Sequence, residues 1–225
     1  MRLFAGKNRR THRFIFIGAA LACVLLPPAS VLAAPVHYTL DSARSSVHFD
    51  AKTTTHDFSG DTGTLSGEMD WDPEGSPDRP AGVVRIPVAP IKTGVAPRDR
   101  SLRRMFEEKI YPRIEFRVPA SEQKSEAASA AAPNPSAAEQ PNHPALPQGY
   151  DEWLEGALKI RAVELPVSIP VVKRQMPDGS LEVEGDVQVS VEKYQLKPPA
   201  LMGLIRVLPD IKIHFKSVWK PAAQK

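Results

Sequence analysis

The chain has 225 residues, with 29 lysines and arginines against 26 aspartates and glutamates, a formal net charge of +3 and one cysteine. A lone cysteine excludes a disulfide framework and a cysteine-rich metal site, and the length suits one domain core better than two. The small basic excess sits in the first residues, and no basic stripe interleaved with aromatics follows it, so nucleic acid is not an expected partner.

In chain order, residues 1–33 have the three parts of a secretory leader. Arg2, Lys7, Arg9, Arg10 and Arg13 form a basic front, residues 14–26 an apolar run, and Val31-Leu32-Ala33 a small-residue site for a cut after Ala33. The run falls short of the ~20 residues that span a bilayer, so the leader is expected to be removed rather than to anchor the chain. No stable membrane insertion is expected, and the leader implies export from the cytoplasm. Cys23 lies in the leader, so cleavage leaves residues 34–225, the expected single domain, without a thiol.

Period-two alternation then dominates, which means strands with one buried and one wet face. Val47, Phe49 and Ala51 alternate with His48 and Asp50; Leu65, Met69 and Trp71 with Ser66, Glu68 and Asp70. Residues 83–88 are strand-like, and Ile114, Phe116 and Val118 alternate with Arg113, Glu115 and Arg117. Between these, a helix is expected over 100–109, with Asp99 as its N-cap and Leu102, Met105 and Phe106 on one face. Residues 119–149 are almost all Ala, Pro, Ser, Glu, Gln and Asn, too poor in apolar surface to offset the entropy of ordering, and are expected to be a disordered loop inserted into the domain. Residues 153–160 are strand-like again. From 163 to 171 and from 181 to 191 the odd positions are apolar except Gly185, and the Pro177-Asp178-Gly179 turn between the two runs marks a hairpin. Ile211, Ile213 and Phe215 end the series. About eight one-sided antiparallel strands bury their apolar faces either as a closed barrel or as a two-sheet sandwich, and periodicity does not separate these.

Some residues separate them by resemblance. These are Tyr38-x-Leu40-Asp41, Ser45-Ser46-Val47-x-Phe49, Thr64-Leu65-Ser66-Gly67, Thr93-Gly94, Arg98-Asp99-x-x-Leu102, Phe106, Tyr111-Pro112-x-Ile114-x-Phe116, Gly156-x-Leu158-x-Ile160, Pro166-Val167 and Asp210 with Phe215. In order and spacing they resemble the YceI-like family. The resemblance implies an all-β fold, an eight-stranded antiparallel lipocalin-like barrel found in the periplasm or secreted, with a long isoprenoid chain as the molecule held inside. Ser101, where that family commonly has histidine, and Lys193-Tyr194-Gln195-Leu196, in place of Asp-Phe-Gly-Ile, leave the identity of the lipid open.

The residues expected to meet such a ligand are the inward ones. They are Val47, Phe49, Leu65, Met69, Trp71 and Val84 from the first half of the barrel, with Ile86, Phe106, Ile114, Phe116, Leu158 and Ile160 after them. Many inward positions are valine or alanine, which favours space left along the axis of a barrel that eight strands make just wide enough for one small ligand. The alternative is a filled core in a structural or protein-interaction module. Asp99 reads as the helix cap, and Arg98 as paired with a neighbouring strand or carbonyl, before either reads as a head-group ligand. The histidines show no metal-ligand spacing, and no nucleophile elbow, phosphate loop or metalloprotease helix is present. Neither a metal, a cofactor beyond bound lipid, nor an enzymatic activity is expected.

Overall fold

Each alternating stretch forms an antiparallel strand in the computed structural model, which describes residues 36–71, 80–119, 144–198 and 206–222. The leader expected over 1–33 and most of the insertion expected over 119–149 lie outside the described residues. The strands are β1 (Val36–Leu40), β2 (Ser46–Thr53), β3 (Phe58–Thr62), β4 (Ser66–Trp71), β5 (Ala81–Pro87), β6 (Arg113–Val118), β7 (Glu152–Ile160), β8 (Val163–Gln175), β9 (Leu181–Ser190) and β10 (Val207–Pro221). Among the described residues a single α-helix, α1 (Ala96–Met105), lies between β5 and β6.

Ten strands make eight staves. β1 and β2 follow one another along the same edge of the long β10, with Leu40 opposite Trp219 and Ser46 opposite Lys216. β4 pairs with β1 and β3 with β2, so these two also run in line. From β4 the sheet continues through β5, β6, β7, β8 and β9 to β10, and the β1–β10 pairing closes it into a barrel. Closure removes the sheet edges that a sandwich would leave.

The break between β1 and β2 is built by Asp41. Its carboxylate accepts from the Ala43 amide at 3.1 Å, capping a one-turn 3₁₀ helix, Ser42–Arg44, and pairs with Arg44 and Lys220, each at 2.8 Å. Ser45 Oγ donates to the Asp41 carbonyl and accepts from the Val218 amide, which holds the corner onto β10. At the far end of β8, Gly179 takes a φ of 77° in the turn to β9, and the Asp178 carboxylate accepts from both the Ser180 amide and its hydroxyl. β8 pairs with β7 from Val163 to Val171 but with β9 only from Val171 to Gln175. Pro166 and Pro170 lie in or beside the stretch that has parted from β9, where a missing amide interrupts no ladder to that neighbour.

Two apolar clusters flank the axis. Tyr38, Met69, Val171, Leu181, Val183 and Trp219 pack at the end away from α1, and Leu158, Ile160, Val189, Val191 and Leu196 pack toward it with Met105 and Phe106 against them. Trp219 satisfies its buried indole by donating to Ser217 Oγ, which donates in turn to the Val183 carbonyl.

The Lys220 and Arg44 contacts hold the Asp41 carboxyl at about 2, below its usual 3.8. A depressed carboxylate stabilises the fold above its unfolded pKa and loses that contribution as pH falls through the folded value. Asp41→Asn is therefore expected to lower the thermal midpoint at neutral pH, with the gap to the unmodified protein closing between pH 3.8 and about 2. A gap of the same size at both extremes would contradict this role.

Candidate ligand-binding cavity

Alternation places one residue of every two inside the barrel, and the inside is not filled. A cavity of about 650 Å³ runs along the axis, within the range of ~300–1,000 Å³ typical of ligand pockets. All twelve residues expected to face a ligand line it. Val47 and Phe49 come from β2, Met69 and Trp71 from β4, and Leu65 from the residue just before it. Val84 and Ile86 lie on β5, Ile114 and Phe116 on β6, Leu158 and Ile160 on β7, and Phe106 ends the helix. The filled-core alternative is not what the structure displays.

Period two explains which way the side chains point, but not why the rings leave the axis open. The reason is a set of inward glycines. A Cβ at Gly156 would fall 2.5 Å from the Phe116 ring, one at Gly60 2.5 Å from Phe49, one at Gly185 2.8 Å from Phe215 and one at Gly67 2.9 Å from Trp219. Each ring therefore rests where a side chain would otherwise stand, against the wall instead of across the bore. The alternation in the sequence marks Phe49, Phe116 and Phe215 as inward but does not mark Phe58 or Trp219 as wall residues, nor the glycines that seat the rings. The usable signal was the glycine inside an otherwise apolar inward register, as at Val183-x-Gly185-x-Val187.

At one end α1 covers the bore with Leu102, Met105 and Phe106. The helix differs from expectation: it begins at Ala96, four residues early, because Pro97 in its first turn supplies the fixed φ that starts a helix. Asp99 is consequently inside the helix and does not cap it; the N-cap is Val95, with no side-chain hydrogen bond. The Asp99 carboxylate instead accepts from the Thr93 amide at 2.8 Å and from the Thr93 hydroxyl, and that hydroxyl holds its pKa below the usual value. Arg98 donates to the same hydroxyl and to the Thr93 carbonyl at 2.8 and 2.7 Å, and its guanidinium lies 4.5 Å above the Phe58 ring. Thr93 thus ties the loop to the helix and orients Arg98 along the rim of the cavity.

Asp61, Lys173 and Lys216 also line the bore; Lys173 is paired with Glu152 at 2.6 Å and sits 5.6 Å over the Trp71 ring, and Lys216 is paired with Glu182 at 2.6 Å. His48 and His214 face each other across β2 and β10, but on the outer face, each with a neighbouring aspartate. Among the described residues no three histidine, cysteine or acidic side chains converge as metal ligands, and no helix is long and apolar enough to cross a membrane. A second, shallower cleft of about 430 Å³ lies where β8 and β9 part, and Val187 and Val189 border both spaces.

A closed eight-stranded antiparallel barrel with a ligand-sized apolar bore defines a lipocalin-like binding barrel. A family model of the YceI-like domain matches residues 38–218, and the chain belongs to that family. The fold is shared with BcnA of Burkholderia cenocepacia, at 19% identity and a TM-score of 0.60 over 80% of this chain and 98% of that one. It is shared equally with a polyisoprenoid-binding domain from Saccharophagus degradans implicated in plant cell wall breakdown, at 16% identity and a TM-score of 0.60 over 83% and 99%. Comparison with curated proteins finds no match.

Replacing Asp99 by alanine leaves the Thr93 amide and hydroxyl without their acceptor, which costs about 1–2 kcal/mol for partly buried groups. The expected result is a lower thermal midpoint for the lipid-free variant than for the lipid-free parent. Equal midpoints would show that the Thr93–Asp99 link does not support the fold.

Proposed function

We propose that this protein is an exported carrier or scavenger that holds an isoprenoid or similarly long apolar chain inside the barrel. The carrying observation is the open bore walled by hydrocarbon. Water in it would find few hydrogen-bond partners along the wall, whereas an apolar chain gains ~0.8 kcal/mol for each methylene removed from water, before the cost of ordering it. The solved relative described as a polyisoprenoid-binding domain supports the ligand class. Export rests on the basic front and apolar run of residues 1–33, and the periplasm or the cell exterior is the proposed location. The reading is of a binding protein, not an enzyme: among the charged side chains at the bore, Arg98, Lys173 and Lys216 are engaged by Thr93, Glu152 and Glu182 in structural contacts.

Organic extraction of protein purified without added lipid is expected to release an isoprenoid or acyl lipid detectable by mass spectrometry. Because the Phe116 ring already fills the space above Gly156, the larger ring of Phe116→Trp projects into the bore and is expected to lower the lipid-to-protein ratio while the far-ultraviolet spectrum stays that of a β protein. Repeated recovery of folded, lipid-free parent protein would overturn the proposal.

A further inference from the structure

The two ends of the barrel differ in how their cations are held. Away from α1, cations are paired: Arg44 with Asp41 and Asp178, Lys173 with Glu152, Arg174 with Glu182 and Glu184, Lys220 with Asp41. At the α1 end, the exposed Lys92, Arg100, Arg104, Lys109, Arg113 and Arg206 form no salt bridge among the described residues. The carboxylates nearest them are partly used up, Asp99 by Thr93 and Glu107 by Arg161. Asp57, Asp61 (bridged through the backbone to Lys92), Glu108, Glu192 and Asp210 remain at this end and are outnumbered by these six cations together with Arg98 and Arg103.

The exposed apolar side chains gather at the same end. Among the described residues the large exposed hydrophobics are Val95, Ile110 and Leu208, at 46%, 67% and 42% exposure. Val95 precedes α1, Ile110 follows the turn after it, and Leu208 opens β10, whose start lies opposite the end of β2 on the α1 side. Val95 also lines the bore, so its apolar side chain borders both the cavity and the outside. Hydrocarbon that projects among unpaired cations is the composition of a surface that sits in the head-group region of a bilayer. None of these exposed side chains is an aromatic ring on which a base could stack, which disfavours a nucleic-acid partner.

We propose that the α1 end of the barrel docks on a bilayer rich in anionic phospholipid and that the apolar chain passes there between membrane and bore. The transfer step rests on the function proposed above; the docking step does not. Ile110 and Leu208 would enter the interface beside Val95, and the arginines of α1 would lie over lipid phosphates, while the floor packed by Tyr38 and Trp219 points away.

The test is flotation of the mature protein with vesicles of equal parts phosphatidylglycerol and phosphatidylcholine, and with phosphatidylcholine alone. Binding is expected to the anionic vesicles only and to weaken as salt is raised. The double substitution R100A/R104A is expected to weaken it about thirtyfold, at ~1 kcal/mol per basic side chain near an anionic surface, and Ile110→Ser about tenfold. None of these residues lines the bore, so uptake of a fluorescent polyprenol from detergent by both variants should match the parent. No flotation with anionic vesicles, or equal flotation with both kinds, overturns the docking proposal even where polyprenol uptake is intact. Flotation without any polyprenol uptake would support docking and count against the carrier function.

Discussion

The bore exists because aromatic rings rest on glycines. An eight-stranded barrel is narrow enough for inward side chains to fill it, and this chain supplies Phe49, Phe116, Phe215 and Trp219 to do so. Each ring is instead drawn onto a neighbouring strand, at Gly60, Gly156, Gly185 and Gly67 respectively, by the absence of a Cβ there. The arrangement keeps the packing area of the rings, which stabilises the wall, and leaves the axis free. Ala51 and the valines of β9 extend the same thin lining between them.

Around that wall the two ends have separate tasks. The end away from α1 is closed by the cluster of Tyr38, Met69, Val171, Leu181, Val183 and Trp219 and by the corner at Asp41, where one carboxylate joins β1, the 3₁₀ turn and the end of β10. The α1 end is held by polar links that leave hydrocarbon facing the bore: Thr93 fixes Asp99 and Arg98, and the helix turns Leu102, Met105 and Phe106 inward. Packing closes one end, and a tethered helix with exposed cations covers the other. The parting of β8 from β9 is a third irregularity, placed where prolines would in any case withhold amide donors.

Most of the inward face is legible from the sequence because strand periodicity reports side-chain direction directly, and at Val47, Phe49, Ile114, Phe116 and the odd positions of β8 and β9 nothing competes with it. β1 and β3 were harder. His37 and Thr39 separate only Tyr38 and Leu40 as strong inward residues, and Phe58-Ser-Gly-Asp-Thr offers a single large apolar side chain, since the inward Gly60 has none. The helix start was misplaced because Asp99 fits a cap by residue type, whereas Pro97 fits the first turn by backbone geometry, and the geometry decided. The seating glycines read in sequence as gaps in a strand; their meaning depends on a ring brought across from another strand. Likewise, charge segregation between the ends depends on which cations find partners in space, and a near-balanced composition conceals it.

The most direct test of the central claim is a high-resolution density map of the protein purified without added ligand. The account predicts one elongated, branched or linear apolar chain along the axis from the Trp219 floor toward Val95, with the Phe116 and Phe215 rings lying on Gly156 and Gly185. A bore closed by those rings turning inward, or filled by an ordered water network, would contradict it.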